Sequence, residues 1–482
     1  MVDLRTRPVA KQAGRGNRCS YRRLLCDPGR VDLRQLLESR AGEDLDTFAR
    51  GINPQFVKIL RTIGYDRKWK RTSGAYLYDA DGNRYLDLLG GFGMFNVGRN
   101  NPRVRAALVE AMELEVPNAV QLGVSPLPGL LAEALLARAP GTLGKVLFTS
   151  SGAEAIEAAL KLGRAATGRT RVISADHGFH GLTLGALSIN GNPEFTARFQ
   201  PLLPGCDTVA WNDLEGMERE LAKENVALVV LEPVQGKGAN VPAPGYLEGV
   251  QELCRRFGTL FCIDEVQTGL GRCGRFLALE HWGLEPDLVT ISKSLSGGYI
   301  PSGALLMRDE VFFAVFDSLE HGLSHGSTFA PNDYAMVAGL ATLAELDDQG
   351  LVEHSARLGE LLLERTRPLV ERFDVVKEVR GLGLMWAIEF QEPEQGRRSF
   401  RLLERVQPGL FSQLVVVPLF RDHRVLSQVA GHNMNVIKTL QPLVVDESDI
   451  DWFAEALEYV LERARGIPRG MVGFALRAAR AR

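Results

Sequence analysis

The sequence predicts an α/β protein whose large domain has a mostly parallel sheet flanked by helices, with a smaller α+β domain from the N- and C-terminal parts. Short apolar runs predict strands at residues 146–149, 171–174, 227–231, 259–263 and 288–292. Helical patterns at 153–167 and 246–257 separate several of these runs. Alternating strands and helices are typical of parallel sheets, because a crossover between parallel strands usually contains a helix.

The segments on either side of these strands predict further helices and the smaller domain. Helices are expected at 102–114, where Pro102 suits the first turn, and at 127–138, which ends before Pro140. Towards the C-terminus, the patterns predict a helix at 351–373, a strand at 379–390 and a helix at 448–464 with Ser448 as its N-cap. The apolar run 410–420 predicts a core strand, and the wall of a substrate channel is its alternative.

Both ends of the chain are basic. Residues 1–40 carry ten Lys or Arg against four Asp or Glu, which predicts a disordered or dimer-clasping arm. A targeting peptide is the less favoured alternative, because serine is scarce. The expected divisions are the arm (1–44), the first part of the small domain (45–115), the large domain (116–345), the rest of the small domain (346–465) and a basic tail (466–482) whose residues 474–481 could form a short helix.

Composition excludes several classes of function. The 56 Lys and Arg residues against 59 Asp and Glu give a net charge of −3, which does not favour bulk binding to nucleic acid or membranes. No apolar stretch is long enough to span a bilayer. The six cysteines are scattered without metal-type pairs, so we expect no metal site and a reduced, cytoplasmic location.

Lys293 is the first candidate for chemistry. It follows the apolar run that ends at Ile291 and precedes a Ser/Gly loop. Burial lowers the pKa of an ammonium because it penalises the charge, and the neutral amine can then attack a carbonyl to form an imine. An ordinary surface lysine at a strand end is the alternative, and the neighbouring motifs favour the first interpretation.

Asp264 ends a second apolar run, at the strand end where open α/β sheets bind ligands. A buried aspartate opposite a pyridine nitrogen keeps that nitrogen protonated and makes the ring an electron sink. For an isolated aspartate, a capping or turn role is the more common alternative.

Two further segments complete the pattern. The backbone amides of Ser151, Gly152 and Ala153 would point out of a helix N-terminus, which is a natural phosphate site. Phe179 lies between glycines in the run 177–181, so its ring can lie flat against a planar ring. An imine lysine, a pyridinium carboxylate, a phosphate turn and a stacking ring together predict a pyridoxal 5′-phosphate site.

The chain resembles the class III aminotransferases of fold type I, nearest the ornithine, acetylornithine and putrescine aminotransferases. The resemblance extends over about residues 76–443. Besides the Lys293 loop, the motifs that carry it are Leu-Gly-Gly-Phe-Gly-Met-Phe-Asn-Val-Gly at 89–98, Leu-Glu-Pro-Val-Gln-Gly at 231–236, Asp-Glu-Val-Gln-Thr-Gly at 264–269 and His-Gly-Ser-Thr-Phe at 325–329.

The resemblance implies a ping-pong aminotransferase that uses pyridoxal 5′-phosphate through Schiff-base chemistry. In this chain it makes Lys293 the Schiff-base lysine and general acid/base, and Asp264 the partner of the pyridine nitrogen. It also implies a homodimer, with Phe92 near the substrate. The other cofactor contacts that it implies are Gln267 near the phenolic oxygen, Phe179 stacked on the ring, Ser151, Gly152 and Ala153 at the phosphate, His180, Glu232, and Thr328 reaching the phosphate of the neighbouring subunit.

The chain departs from its relatives at two substrate positions. The relatives clamp the substrate's α-carboxylate with an arginine that pairs with a glutamate as a switch, and here these positions are Lys438 and Lys237. Lysine lacks the bidentate fork of arginine. We therefore expect a more cationic pocket mouth that favours an anionic donor over a bare diamine. The alternative is that both lysines point to solvent.

The substrates stay open at this point. The first interpretation is transfer between a glutamate- or ornithine-like amino acid and a terminal aldehyde or oxo acid. A putrescine-type diamine aminotransferase is the alternative. Another pyridoxal phosphate enzyme (a racemase, mutase or decarboxylase) and a non-catalytic cofactor-binding regulator are less favoured, because fold alone does not define function.

Overall fold

The computed structural model describes residues 32–118, 122–391, 409–431 and 434–464, in two units, Met1–Lys68 and Trp69–Arg482. The first unit contains the helices Leu33–Ser39 (α1), Asp44–Gly51 (α2) and Pro54–Ile63 (α3). Asp32 caps α1 by accepting a hydrogen bond from the backbone N–H of Gln35. Part of the expected disordered arm is therefore helical, and its residues 1–31 lie outside the described chain, as does the tail from residue 465.

The second unit contains the sheets and the remaining helices. Its strands are Trp69–Ser73 (β1), Tyr76–Asp79 (β2), Arg84–Asp87 (β3), Lys145–Thr149 (β4), Arg171–Ala175 (β5), Cys206–Val209 (β6), Val226–Leu231 (β7), Leu260–Asp264 (β8), Leu288–Ile291 (β9), Gly303–Met307 (β10), Val376–Leu382 (β11), Met385–Phe390 (β12), Val425–Leu426 (β13), Gln428–Val429 (β14) and Val436–Thr439 (β15).

Its α-helices are Pro102–Glu113 (α4), Pro126–Leu136 (α5), Gly152–Thr167 (α6), Leu184–Ser188 (α7), Pro193–Thr196 (α8), Leu214–Leu221 (α9), Tyr246–Phe257 (α10), Asp309–Phe313 (α11), Asp333–Asp348 (α12), Leu351–Thr366 (α13), Pro368–Arg372 (α14), Leu410–His423 (α15) and Glu447–Ala464 (α16). Short 3₁₀ helices lie at Ala278–Trp282 and Lys293–Ser296, and Gly90–Gly93 forms one irregular helical turn. None of the helices in the described ranges is long and apolar enough to cross a membrane.

The central sheet has seven strands in the order β4-β10-β9-β8-β7-β5-β6. The strands from β9 to β6 run parallel, and β10 is antiparallel to both of its neighbours. The predicted mostly parallel sheet is therefore confirmed, and all five predicted strands are present. All six residues of β7 are buried, because helices cover both faces of such a sheet.

The register of the central sheet sets the position of the candidate site. Asp264, the last residue of β8, lies opposite Thr290 of β9. Lys293 begins the 3₁₀ helix that follows β9. Because parallel neighbours end at the same sheet edge, the two candidate residues emerge side by side.

The unit has two smaller sheets, one built from both of its ends and one from its C-terminal part alone. One has the order β1-β2-β3-β13, in which β13 from the C-terminal part runs parallel to β3. The other has the order β11-β12-β15-β14. In it, Lys438 of β15 lies opposite Gln428 of β14 and Ala387 of β12. This α+β arrangement agrees with the predicted smaller domain.

Three local predictions are wrong. The expected strand at 379–390 is the hairpin β11–β12, which turns at Gly383 (φ +52°), where a Cβ would lie 2.5 Å from the backbone of Cys273. The apolar run 410–420 belongs to helix α15. Ser448 lies inside α16, and Asp446 accepts the hydrogen bond from the Asp449 N–H instead.

Candidate active site

Lys293 lies in a strained turn at the edge of the central sheet. Its φ of +42° is in the left-handed region, which a residue with a side chain rarely adopts. Such strain persists only where the surrounding structure enforces it, often at functional sites. Desolvation lowers the pKa of the Lys293 ammonium, although the negative charges of Asp264 and Glu232 oppose this effect. The amine is therefore more readily uncharged than that of an ordinary lysine.

Asp264 is fixed by three donors. Its Oδ2 lies 2.7 Å from Nδ1 of His180, and its Oδ1 accepts from Thr290 Oγ1 at 3.0 Å and from the Val266 N–H at 3.0 Å. Burial alone would lower the pKa of His180, but the hydrogen bond and charge of Asp264 outweigh it and raise that pKa. The pair thus holds Asp264 as an oriented carboxylate.

Lys293 and Asp264 share one cavity of about 350 Å³, within the range of small-molecule sites. Its walls are mostly apolar. The lining residues are Phe92, Phe179, Phe195, Glu232, Gly236, Lys237, Asp264, Val266, Gln267, Lys293, Gln428, Ala430 and Lys438.

Glu232 positions two parts of the wall. One carboxylate oxygen accepts from the Phe179 N–H at 3.0 Å, and the other accepts from the Gly236 N–H at 2.8 Å. Burial raises the pKa of Glu232, although His180 opposes this effect. The Phe179 ring packs edge-on against Phe195, with ring centroids 5.2 Å apart. Glu232 therefore acts on the site through the backbone of residues that line it.

The predicted phosphate turn lies against this cavity. Ser151 caps the 16-residue helix α6 by accepting from the Glu154 N–H at 3.2 Å. A Cβ on Gly152 would lie 2.8 Å from Cγ2 of Val266, which lines the cavity. Similarly, a Cβ on Gly181 would lie 2.7 Å from the Cβ of Ala153. The helix N-terminus is thus held close to the cavity wall and directs backbone N–H groups outwards.

Gln267 and Lys438 connect the cavity wall to the sheet β11-β12-β15-β14. Gln267 donates from Nε2 to the Phe92 carbonyl at 3.0 Å and accepts at Oε1 from Lys438 Nζ at 3.2 Å. Lys438 Nζ also donates to the Gly236 carbonyl. Burial, followed by the charge of Lys293, lowers the pKa of Lys438 to about 7.

Lys237 lies at the same cavity and is paired. Its Nζ is 2.8 Å from Oε1 of Glu194 and 4.5 Å from the centre of the Phe195 ring. The side chain of Lys237 is 14% exposed. The alternative that both lysines point to solvent is therefore wrong. The expected cationic mouth also needs correction, because Glu194 balances the charge of Lys237.

Thr328 lies apart from this cavity within the same chain. It is exposed and lines a second cavity of about 440 Å³ together with Asn118, Leu122, Val124 and Pro331, among others. Lys293 does not line that cavity. The resemblance assigned Thr328 to the neighbouring subunit, and this position leaves that assignment as a prediction.

Sequence reasoning missed Phe195, which lines the cavity, and Glu194 beside it. Glu194 and Phe195 lie on the four-residue helix α8, which has no recognisable motif. Gln428 has a buried side-chain Nε2 without a hydrogen-bond partner in the described chain, and it faces Lys438 across the β14–β15 pair. Only the strand register reveals that pairing. Among the described residues, no cluster of His, Cys, Asp or Glu could hold a metal ion.

The residues present fit pyridoxal 5′-phosphate. The cavity offers an amine with a lowered pKa, an oriented carboxylate and an aromatic wall, and a helix N-terminus lies beside it. These are the groups that an aldehyde, a pyridine nitrogen, a planar ring and a phosphate require.

Comparison with known proteins gave three informative matches. The family model for class-III aminotransferases matches residues 64–461. The chain is 36% identical over 462 residues to the aminotransferase PigE of Serratia sp. (strain ATCC 39006), covering 89% of this chain but 54% of that protein, so it spans about half that relative's length. It is 41% identical over 434 residues to the putrescine aminotransferase of Pectobacterium atrosepticum, covering 86% of this chain and 92% of that protein.

Among solved structures, the ornithine aminotransferase of Toxoplasma gondii has a TM-score of 0.76 and 28% sequence identity. The match covers 90% of this chain and 98% of that one. That structure holds pyridoxal phosphate at partial occupancy in its active site.

Proposed function

Because the chain belongs to the class-III aminotransferases, a family of pyridoxal phosphate-dependent enzymes, we propose a specific transfer for it. The amino group passes from a glutamate- or ornithine-like amino acid to a terminal aldehyde or oxo acid in a ping-pong cycle. The observation that carries the donor class is a pair of facing donors in the cavity, Lys438 Nζ and Gln428 Nε2.

These two donors suit a substrate carboxylate. An ammonium has three N–H donors, and two of those on Lys438 are directed at Gly236 O and Gln267 Oε1. The third is available, and the buried Nε2 of Gln428 has no partner among the described residues. A buried donor without an acceptor costs about 1–3 kcal/mol, so a carboxylate between the two would relieve that cost.

Lys293 is the proposed catalytic residue. The cofactor, when bound, supplies an aldehyde that takes up the amino group and a ring that withdraws electrons from the reacting carbon. Lys293 would hold the cofactor through its Nζ. When that amine is free and uncharged, it would take a proton from the substrate carbon and carry it across the nitrogen to the far side of the imine. The lowered pKa of Lys293 supports this role.

The remaining wall residues are proposed to hold the cofactor. Asp264, oriented by His180, pairs with the protonated ring nitrogen, and Phe179 packs on the ring face. Gln267 lies near the phenolic oxygen, and Phe92 is near the substrate. The phosphate contacts are Ser151, Gly152 and Ala153. Glu232 acts by fixing the backbone of Phe179 and Gly236.

A homodimer is proposed, in which Thr328 contacts the cofactor phosphate of the partner. The apolar residues near Thr328 support this assembly, since Leu122 and Val124 are almost fully exposed, at 97% and 103%. Large exposed apolar side chains grouped around one cavity are typical of interaction surfaces. A reduced, cytoplasmic location is proposed from the cysteines, and those in the described ranges are free.

A diamine donor is the second candidate function. It is favoured by the 41% identity to a putrescine aminotransferase and by Glu194, a carboxylate beside the cavity that could meet a distal ammonium.

The test uses the purified holoenzyme with glutamate, ornithine and putrescine supplied separately. The proposal expects glutamate or ornithine to remove the visible absorption band of the bound cofactor and to release the matching oxo product. Exclusive response to putrescine would reject the amino-acid donor in favour of the second candidate. The Lys293→Ala variant controls for cofactor chemistry that does not depend on the protein amine.

A further inference from the structure

An ion pair stands at the wall of the active-site cavity. Glu194 and Lys237 are 43 residues apart in the sequence, and their charged atoms are 2.8 Å apart. Glu194 lies on α8, next to Phe195, which lines the cavity, and Lys237 lines it directly. Their side chains are 23% and 14% exposed, so the pair is more enclosed than a surface salt bridge.

Both residues come from well-anchored backbone. Asn192, immediately before α8, donates from Nδ2 to the carbonyls of His177 and Gly178 at 3.1 and 3.3 Å. Asn240 Nδ2 donates to the Lys237 carbonyl at 3.2 Å. Each segment is therefore tied to neighbouring backbone, and the two charged groups can exchange partners by side-chain motion alone.

The two members of the pair are held unequally. Lys237 also lies over the Phe195 ring, at 4.5 Å from its centre. Within the described chain, the Glu194 carboxylate has Lys237 as its one charged partner. A cation over an aromatic ring keeps part of its stabilisation when a carboxylate leaves. Glu194 is thus the member that can leave at lower cost.

We infer that Glu194 is a built-in competitor for a substrate's distal carboxylate. It occupies the place on Lys237 that the second carboxylate of a dicarboxylic donor or acceptor would take. This inference rests on the proposed function, in which Lys438 and Gln428 bind the first carboxylate. Glu194 swings away when such a substrate enters, and it stays in place for substrates with an uncharged chain, which pack against Phe195 and Phe179.

The exchange sets substrate preference. A dicarboxylate replaces one carboxylate on Lys237 with another, so it gains little from that contact. An uncharged chain does not have to break the pair. Specificity is the difference between the binding free energies of two substrates, here a dicarboxylate and one with an uncharged chain. An unpaired Lys237 would favour the dicarboxylate strongly. Glu194 makes this difference in binding free energy smaller.

The test measures binding of glutarate to the holoenzyme by calorimetry, because glutarate has two carboxylates and no amine to react. We expect Glu194→Gln to tighten glutarate binding by about 3- to 10-fold, because exchanging a charged competitor for a neutral amide removes only part of a charge-assisted contact. Pentanoate, with one carboxylate, should bind both forms equally. In the Lys237→Met background, Glu194→Gln should have no further effect. Glu218→Gln, which breaks a surface pair with Arg256 of 3.0 Å, is the matched control.

Turnover gives the second measurement. Glu194→Gln should raise kcat/KM for glutamate by a similar factor and leave that for pentylamine unchanged. Unchanged glutarate affinity in Glu194→Gln would overturn the inference, and so would a selective loss of putrescine turnover, which would make Glu194 the ligand of a distal ammonium. If wild-type enzyme turned over no donor while glutarate binding still responded to Glu194→Gln, the proposed aminotransfer would fail and the competitor would stand.

Discussion

His180 Nδ1 lies 2.7 Å from Oδ2 of Asp264, and the two side chains are only 1% and 3% exposed. The other oxygen of Asp264 accepts from Thr290 and from the Val266 backbone. Because all of these donors are internal, the orientation of the carboxylate is set before any ligand arrives. His180 therefore acts as a positioning residue, and Asp264 is the residue expected to meet the ring nitrogen.

We expect His180→Gln to lower kcat by about 10- to 100-fold, because a hydrogen bond to a charged group contributes about 1.5–3 kcal/mol. The visible spectrum of the bound cofactor should also shift, since the ring nitrogen would be less firmly protonated. His354→Gln is the control, because His354 contacts the Val445 carbonyl through Nε2 and Arg357 through Nδ1, and neither partner lines the cavity. An unchanged spectrum together with lower thermal stability would instead indicate a purely structural histidine.

Three lysines line the cavity, and of these only Lys293 is expected to bind the cofactor covalently. Borohydride reduction followed by mass spectrometry should fix the cofactor to wild type and to Lys438→Met. It should fail in Lys293→Ala, whose amino transfer should fall by about 10²- to 10⁴-fold, the usual contribution of a general acid/base. Cofactor fixed to Lys293→Ala would make Lys438 or Lys237 the reacting amine, and the mass of the labelled peptide would show which.

Gly152→Ala should weaken pyridoxal phosphate binding by about 10- to 100-fold, since displacing this turn would cost a hydrogen bond to the charged phosphate, which contributes about 1.5–3 kcal/mol. The added Cβ would lie 2.8 Å from Val266 Cγ2, closer than carbon atoms can approach. Equilibrium dialysis of the apoprotein measures the effect. Gly141→Ala is the control, because a Cβ there meets no heavy atom within 4 Å. Equal affinities for the two variants would place the phosphate elsewhere.

The parts of the fold that the sequence predicted correctly share one property. Strands β7, β8 and β9 are buried on both faces, so they read as continuous apolar runs. Helix α15 was mistaken for a strand for the same reason: its Val415, Val416 and Val417 are β-branched, and burial on nearly all sides removed the helical period. Tertiary packing decided its conformation.

The residues of the candidate site also differ in how well the sequence predicted them. The proximity of Lys293 and Asp264 could be predicted because Asp264 ends β8 and Lys293 closely follows β9, and adjacent parallel strands bring their ends together. The contact between Glu194 and Lys237 could not be predicted from the sequence. It depends on how the short helix α8 and the segment after β7 are placed in space, which no periodic pattern shows. Gln428 lies opposite Lys438 because of the register of the two-residue strand β14, and a strand this short cannot be recognised in the sequence.

Lys438 should make substrate preference depend on pH near neutrality. Burial lowers its pKa from 10.5 to about 7, so the side chain is charged below that pH and neutral above it. The ratio of kcat/KM for glutamate to that for pentylamine should therefore fall by about 10-fold as pH rises through 7, because a charged donor becomes a neutral one. Using the ratio cancels the titrations that both substrates share. In Lys438→Met the ratio should be flat, and a pH dependence retained there would assign the effect to another group.

The assignment of Thr328 to the partner's phosphate can be tested by mixing two inactive variants. Lys293→Ala lacks the reacting amine, and Thr328→Arg places a bulky cation at the contact. In a mixed dimer, the site with an intact Lys293 receives its Thr328 from the Lys293→Ala subunit, so that one site is complete. Random exchange makes half of the dimers mixed, each with one working site of two, so activity should recover to about one quarter of wild type.

Mixing the two variants also gives a clear result if the assignment is wrong. If Thr328 served its own subunit, the mixed dimer would have one site without the amine and one with the arginine, and mixing would restore nothing. The separation of Thr328 from the Lys293 cavity within one chain favours recovery. Each variant is also mixed with itself as a control, and size-exclusion chromatography confirms that both remain dimeric. Recovery only after denaturation and joint refolding would still support the shared site, because it would reflect slow subunit exchange rather than a missing contact.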